Sequence, residues 1–288
     1  MKIDANSVTF EPQDMAFVKK FGILKATEMA LDYHAEHPNL PFLYDAEQLA
    51  GFLGISRGEL NDIVNHIQKE YKEAHLPKKD GTYRSLCVPS IRLRFCQDPI
   101  KEKILPQLPV SKFATAYQKG STTRGNAEPH IGKKFLLKLD ITDFFGSITF
   151  EQVQRTAFNT RYVSRQVGYL LTSLCCKNDS LPQGAATSPA LSNIVMYRFD
   201  DYIGHWCSQR KIAYTRYCDD MTFSADRPLY GVYQKVKTML REMGFELNEL
   251  KTHFIGNDNR QNVTGLVVNE KLSIPSSYKR NLRQEIYY

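Results

Sequence analysis

Ile212-Ala213-Tyr214-Thr215-Arg216-Tyr217-Cys218-Asp219-Asp220-Met221-Thr222-Phe223-Ser224-Ala225 is the stretch whose reading decides the fold. Both flanks are short and rich in aromatic and β-branched residues, which predicts two strands of a hairpin. Tyr217-Cys218-Asp219-Asp220 falls at the tip and presents two adjacent carboxylates. Side chains alternate faces along a strand, so Asp219 and Asp220 do not both point at the same atom. One of them needs a partner from elsewhere in the chain.

That partner lies upstream. Phe135-Leu136-Leu137-Lys138-Leu139-Asp140 is a mostly apolar run ending on a carboxylate, and Ile141-Thr142-Asp143-Phe144-Phe145 leads from it to a turn at Gly146. Two apolar strands that carry aspartates to one end of a sheet suit a paired Mg²⁺ site. Mg²⁺ takes hard oxygen ligands and, in phosphoryl chemistry, is held by one or two carboxylates plus substrate phosphates. Two such ions roughly 3.5–4 Å apart clamp the attacking and leaving oxygens of an in-line displacement. An Asp-Asp pair alone is as readily a plain hairpin turn, which Asp favours by itself. Asp140 on its own apolar strand moves the reading toward a metal site.

A Tyr-x-Asp-Asp hairpin that follows an apolar strand with Asp-x-x-Asp-Phe-Phe resembles motifs C and A of the reverse transcriptases. Between them, Leu181-Pro182-Gln183-Gly184-Ala185-Ala186-Thr187-Ser188-Pro189 resembles that family's motif B. Three motifs in the family's order are far more specific than one tetrapeptide. The resemblance implies that Asp140 and Asp219 bind two Mg²⁺ ions, with Asp220 assisting and the Ile141 carbonyl as a further ligand. It implies that Asp143 and Phe145 meet the incoming nucleotide, Phe145 as the bulky side chain that collides with a ribose 2′-OH. It also implies that Gln183 and Gly184 touch the nascent base pair or sugar.

Composition is compatible but less decisive. The 288 residues allow one large or two modest domains, and 42% hydrophobic content supports real cores. A formal net charge of +7 suits a phosphate-backbone partner but does not require one. The six cysteines show no CxxC and no Cys/His metal spacing, which fits reduced thiols in a cytoplasmic protein better than a disulfide framework. Met1–Phe10 has no long apolar run, so no signal peptide is expected, and no stretch is apolar enough to predict a membrane span.

Helical spacing covers Met15–Leu31, then Ala46–Ser56 and Arg57–Tyr71. The last two look like a helix-turn-helix with Gly54 in the turn and Ser56 as a cap, although beyond Arg57 no basic residue lines the second helix before Lys69 near its end. A plain helical hairpin is the better reading, and retron reverse transcriptases often begin with such a segment. Leu76–Leu86 reads as a hairpin with Asp80-Gly81 as the turn signal. Its Lys78 and Arg84 resemble the fingers cations that grip a triphosphate. A helix is expected from Ser90 to Leu105, where Arg92, Arg94, Lys101 and Lys103 form a solvated face or line a template. Further helices are expected over Glu151–Cys176, from Ser188 to about Cys207, and over Val232–Met243. Asp200-Asp201 reads as solvent-facing. Phe245–Asn248 with Lys251 resembles motif D, whose lysine serves near the pyrophosphate leaving group. A basic helix starts at Tyr278 and resembles the beginning of a thumb.

Two further motifs narrow the resemblance. Asn126-Ala127-Glu128-Pro129-His130, just after Arg124, and Val263-Thr264-Gly265 resemble hallmarks of retron reverse transcriptases. This subgroup implies that Arg124, Asn126, His130, Val263, Thr264 and Gly265 serve a cognate RNA. The expected fold is α+β, a right-hand polymerase: a helical N-terminal segment (1–74), fingers (75–135), palm (136–262, with finger-like helices near 151–180) and the start of a thumb (263–288). The implied reaction is RNA-directed DNA synthesis from dNTPs on a structured non-coding RNA that is both template and primer. The implied product is a covalent RNA–DNA molecule, and the implied setting is anti-phage defence with an effector protein. A group II intron or diversity-generating reverse transcriptase, a non-catalytic RNA-binding scaffold and a helix-turn-helix regulator are the alternatives.

Overall fold

Local sequence chemistry sets most of the element boundaries. The computed structural model describes residues 2–4, 7–77, 81–159 and 163–287. Strands β1 (Lys2–Asp4) and β2 (Ser7–Thr9) form a hairpin that the sequence does not announce. Helices α1 (Met15–Phe21) and α2 (Ile23–Glu36) replace the single helix expected there, because Gly22 breaks it with a φ of +77°. Next come α3 (Ala46–Leu53) and α4 (Arg57–Asn65). Gly54 closes α3 in the left-handed conformation, and Ser56 opens α4 in a reciprocal capping box with Glu59.

α4 stops short of Tyr71, which instead opens strand β3 (Tyr71–Pro77). That strand pairs with β4 (Tyr83–Pro89) from Tyr71↔Pro89 to Pro77↔Tyr83. Lys78 and Asp80 lie outside the described residues. α5 (Ile91–Pro99) gives way to a π-helical turn, Ile100–Ile104, rather than running uniformly to Leu105. Pro99 lacks the N–H that a regular helix needs there.

The remaining order is α6 (Thr123–Ala127), β5 (Phe135–Asp140), α7 (Phe150–Ala157), α8 (Arg165–Cys175) and α9 (Ser188–Ser208). Then follow β6 (Ala213–Tyr217), β7 (Asp220–Ala225), α10 (Tyr230–Glu242) and β8 (His253–Gly256). β9 (Asn262–Val263), β10 (Leu266–Val267) and α11 (Ser276–Tyr287) end the described chain. All six cysteines are free. Among the described residues, no helix is long and apolar enough to cross a membrane.

The chain divides into two compact units. The first comprises Met1–Pro109 and Ile148–Val195. Near its N-terminus, Phe17, Ala26, Tyr33 and Phe42 form a buried cluster, with Phe17 and Phe42 ring centroids 5.1 Å apart. The outer face of α4 carries Glu59 and Asp62, and Arg92 of α5 is taken up by Asp62 and Glu70. That face is acidic, which removes the ground for a DNA-reading helix. In the motif B segment the Cys87 N–H of β4 donates to the Gln183 carbonyl at 2.7 Å. Gly184 has φ +119°, and a Cβ there would lie 2.9 Å from the Cys87 carbonyl. A close backbone neighbour within the chain therefore already accounts for this glycine.

The second unit comprises Val110–Ser147 and Met196–Tyr288. Its centre is an antiparallel sheet in the order β6-β7-β5-β8. Cross-strand partners share a face. Asp140 pairs with Asp220, Lys138 with Thr222 and Leu136 with Ser224, so one face carries carboxylates at one end and Leu136 lower down. There Leu136 packs with Ala127, Val263 and Val268. α6 and the β9–β10 hairpin thus cover the lower part of the carboxylate face. On the other face, Met221 and Phe223 are fully buried, and Tyr214 stacks on Phe223 at 4.6 Å.

Candidate active site

A two-residue turn, Cys218-Asp219, joins β6 to β7, with Tyr217 paired to Asp220. Cys218 takes a φ of +62°, which L residues adopt at a cost of about 1–3 kcal/mol. Its surroundings hold it there. The Arg216 guanidinium donates to the Cys218 carbonyl at 2.8 Å, and the Tyr117 hydroxyl lies 2.9 Å from the Cys218 sulfur. The Ile141 N–H reaches the Asp219 carbonyl at 3.3 Å, so the motif A strand end and the hairpin turn are tied together through the backbone. Asn248 N–H donates to the Asp140 carbonyl at 2.8 Å from the other side.

Asp140 is nearly buried, and Lys251 donates to both of its carboxylate oxygens at 3.0 Å. Burial first, and then the charge of Asp219, hold the Asp140 carboxyl above its ordinary pKa against the opposing pull of Lys251. The same ammonium is raised by its hydrogen bond to Asp140. Asp220 is also raised, by burial and by the charges of Asp219 and Asp140, with Lys138 pulling the other way. Three carboxylates therefore feel one another at one end of the sheet. Among the described residues, no three carboxylate, imidazole or thiolate groups close on one point as a cage. This all-oxygen set fits a hard divalent ion that completes its shell with substrate phosphates and water.

Beneath the turn lies a pair that sequence reasoning missed. Asp200 is fully buried rather than solvent-facing, and it takes Arg216 Nε at 2.9 Å and Nη2 at 2.5 Å. Tyr214 donates to the same carboxylate at 2.7 Å. Burial pulls the Arg216 guanidinium down, but the Asp200 charge and hydrogen bonds outweigh it and leave the group above its ordinary pKa. Arg216 also lies 5.8 Å from the centre of the Phe144 ring, which is buried, while Phe145 is half-exposed. The one available signal was Arg216 as the sole charged residue of its strand. A charge there demands a buried counter-charge.

Half of the residues expected to serve RNA have buried side chains. His130 is completely buried, sharing hydrogen bonds with Ser224 Oγ at 2.7 Å and Thr215 Oγ1 at 2.9 Å. Asn126 is buried as well, accepting from Thr115 at 2.5 Å and donating to Thr264 at 3.3 Å. Val263 is fully buried in the adjoining apolar cluster. The side chains of these three are turned into the interior of the second unit. The two hallmark motifs meet each other through Asn126 and Thr264, and they brace the strands of the catalytic hairpin. Of the expected set, Arg124 and Gly265 are exposed and Thr264 is half-buried. Asp143 is exposed with φ +41° at the turn after β5, where a Cβ on Gly146 would overlap its carboxylate. Arg84 is exposed on β4.

Burial pushes the His130 imidazole down to about 3. Its unfolded value is about 6.5, so the unfolded chain binds the extra proton between those limits. The stabilisation is complete above about pH 6.5 and is lost as pH falls toward about 3. His130→Asn should flatten the dependence of unfolding free energy on pH between about 4.5 and 6 by up to ~1.4 kcal/mol per pH unit, the effect of one proton. Urea melts across that range check it, and parallel curves for the two proteins would refute a buried neutral imidazole.

Residues 76–268 match the family described as Reverse transcriptase (RNA-dependent DNA polymerase). The Retron Ec86 reverse transcriptase of Escherichia coli is 29% identical over 92% of this chain and 84% of its own length. The Retron Ec83 reverse transcriptase of the same organism is 34% identical over 75% of each chain. Among solved structures, a telomerase from Candida albicans in complex with a fragment of telomeric RNA has a TM-score of 0.50 at 13% identity. That match covers 73% of this chain but 48% of the telomerase chain, and it speaks to the right-hand polymerase fold alone. Reverse transcriptases generally use divalent metal ions, which the oxygen donors at this sheet end suit. On these matches the chain belongs to the reverse transcriptase family of RNA-directed DNA polymerases, and within it to the retron reverse transcriptases.

Proposed function

We propose that this chain extends a primer hydroxyl on an RNA template with dNTPs, using Asp140 and Asp219 to hold two Mg²⁺ ions, with Asp220 and the Ile141 carbonyl assisting. The observation that carries the reading is the register: Asp140 and Asp220 face each other across β5 and β7, with Asp219 tied to Ile141 beside them. When bound, the ions stabilise charge on the attacking and leaving oxygens. The chain's own residues do the placing. Arg216 and Tyr117 fix the turn that carries Asp219. Lys251 balances Asp140 and is read as the cation for a leaving pyrophosphate. Arg84 and Lys78 are read as triphosphate grips, and Gln183 and Gly184 as contacts to the new base pair. The first unit holds the N-terminal segment, the fingers hairpin and the finger-like helices α7 and α8. The second is read as palm, with α11 opening a thumb.

The retron relatives support a finer reading. The RNA is a cognate structured transcript that supplies both template and primer, and the product is a covalent RNA–DNA molecule. The setting is bacterial anti-phage defence in the cytoplasm, with an effector protein as partner. Sequencing the nucleic acid that co-purifies with the protein tests this. DNA joined to an RNA of defined sequence is expected. A preparation that carries no such species and extends no primer on RNA with dNTPs and Mg²⁺ would overturn the reading.

Phe145 is assigned as the sugar gate. Phe144 is turned into the core against Phe245 and Arg216, leaving the half-exposed Phe145 ring free to meet a nucleotide. An added hydroxyl against a packed ring costs about 1–3 kcal/mol, roughly 5- to 150-fold. Phe145→Ala should relax dNTP-over-rNTP preference by that factor while leaving dNTP use intact. An unchanged ratio in a folded, active variant would remove the assignment.

A further inference from the structure

Away from the carboxylates, the second unit carries an aromatic and cationic cleft that the reaction does not use. Arg198, Tyr202, His205 and Trp206 line one face of α9 at helical spacing, and Lys235 reaches over from α10. The Lys235 ammonium lies 4.9 Å from the Tyr202 ring centre and 5.2 Å from that of Trp206. The Arg210 guanidinium covers Trp206 at 4.5 Å. Tyr202 is 51% exposed, and the open cleft amounts to about 560 Å³. Three permanent cations face a single lining carboxylate, Asp201, which stands 3.5 Å from His205.

We propose that this cleft binds unpaired nucleotides, with bases stacking on Tyr202 and Trp206 and phosphates neutralised by Arg198, Arg210 and Lys235. Partly exposed rings interleaved with cations are what a single strand needs, since every base has a π-face and every linkage a charge. An apolar peptide helix would leave those cations unanswered. The inference rests on the preceding reading only in supposing that the protein handles nucleic acid. It places a second contact outside the polymerising centre, so an RNA could be held there while its end is copied.

Trp206 is the only tryptophan in the chain, so tryptophan emission reports this cleft alone. The full chain is titrated with short oligouridylate, with oligothymidylate and with inorganic polyphosphate. Saturable quenching by a single strand and not by polyphosphate is expected. Quenching by RNA alone would assign the site to RNA, and quenching by both strands to either. Tyr202→Ala should weaken binding about tenfold, within the range for loss of one stacked base. Lys235→Ala should make the salt dependence of affinity shallower by about 0.7 in log–log slope. Both variants should extend a primer on a plain template as the parent does, so a defect in extension bears on the polymerase reading and a defect in quenching on this one. Absence of quenching by either strand, equal quenching by polyphosphate, or an unchanged Tyr202→Ala titration would overturn the proposal.

Discussion

Asp219→Asn is expected to reduce primer extension by roughly a thousandfold while leaving the melting temperature and RNA affinity close to those of the parent. The charge of Asp219 is an expense to the fold, since it helps raise the carboxyl groups of Asp140 and Asp220. Replacing it with an amide of the same shape removes that repulsion and leaves the backbone bond from Ile141 in place. What is lost is the grip on metal ions at the reacting oxygens. Roughly 4 kcal/mol of transition-state stabilisation corresponds to about a thousandfold in rate. Single-turnover extension beside a thermal melt separates the two quantities. Near-parental synthesis by a folded Asn variant would take Asp219 out of the reaction.

The second large effect lies under the turn. Asp200→Asn should destabilise the protein by about 3–5 kcal/mol, because it strands the Arg216 guanidinium, fully buried, without its counter-charge. Adding Arg216→Met should restore part of that loss, since it removes the unpaired buried charge. Extension should not return with it, because the Cys218 carbonyl then lacks the donor that holds the catalytic turn. Denaturant melts and extension rates on the single and double variants check both halves. A single variant as stable as the parent, or a double variant with full activity, would show that the pair does not position the turn.

The strands bearing the carboxylates were legible because two local signals agreed, β-type residues on both flanks and a turn-forming Asp-Asp between them. The start of α9 was legible from a hydroxyl residue followed by Pro189. Asp200 was misread because Asp-Asp on a helix resembles a solvated face, and its partner sits 16 residues away on a different element. The burial of His130 and Asn126 was hidden for a related reason. A motif that marks a subgroup says that residues are needed, and only the packed sheet shows that they are needed as buried struts. Gly22 and Pro99 were visible breakers, but periodicity on either side concealed how fully each would interrupt its helix.

The pairing of Asp140 with Asp220 sets what kinds of change the centre survives. Side chains in a strand have only two directions, so a slip of one residue in β5 or β7 would turn an aspartate to the opposite face instead of moving it slightly. Substitutions along these strands act by degrees, whereas an inserted or deleted residue acts as a switch. Added or removed residues should therefore be tolerated best in exposed segments such as 257–260, between β8 and β9, where the parity of both catalytic strands is untouched.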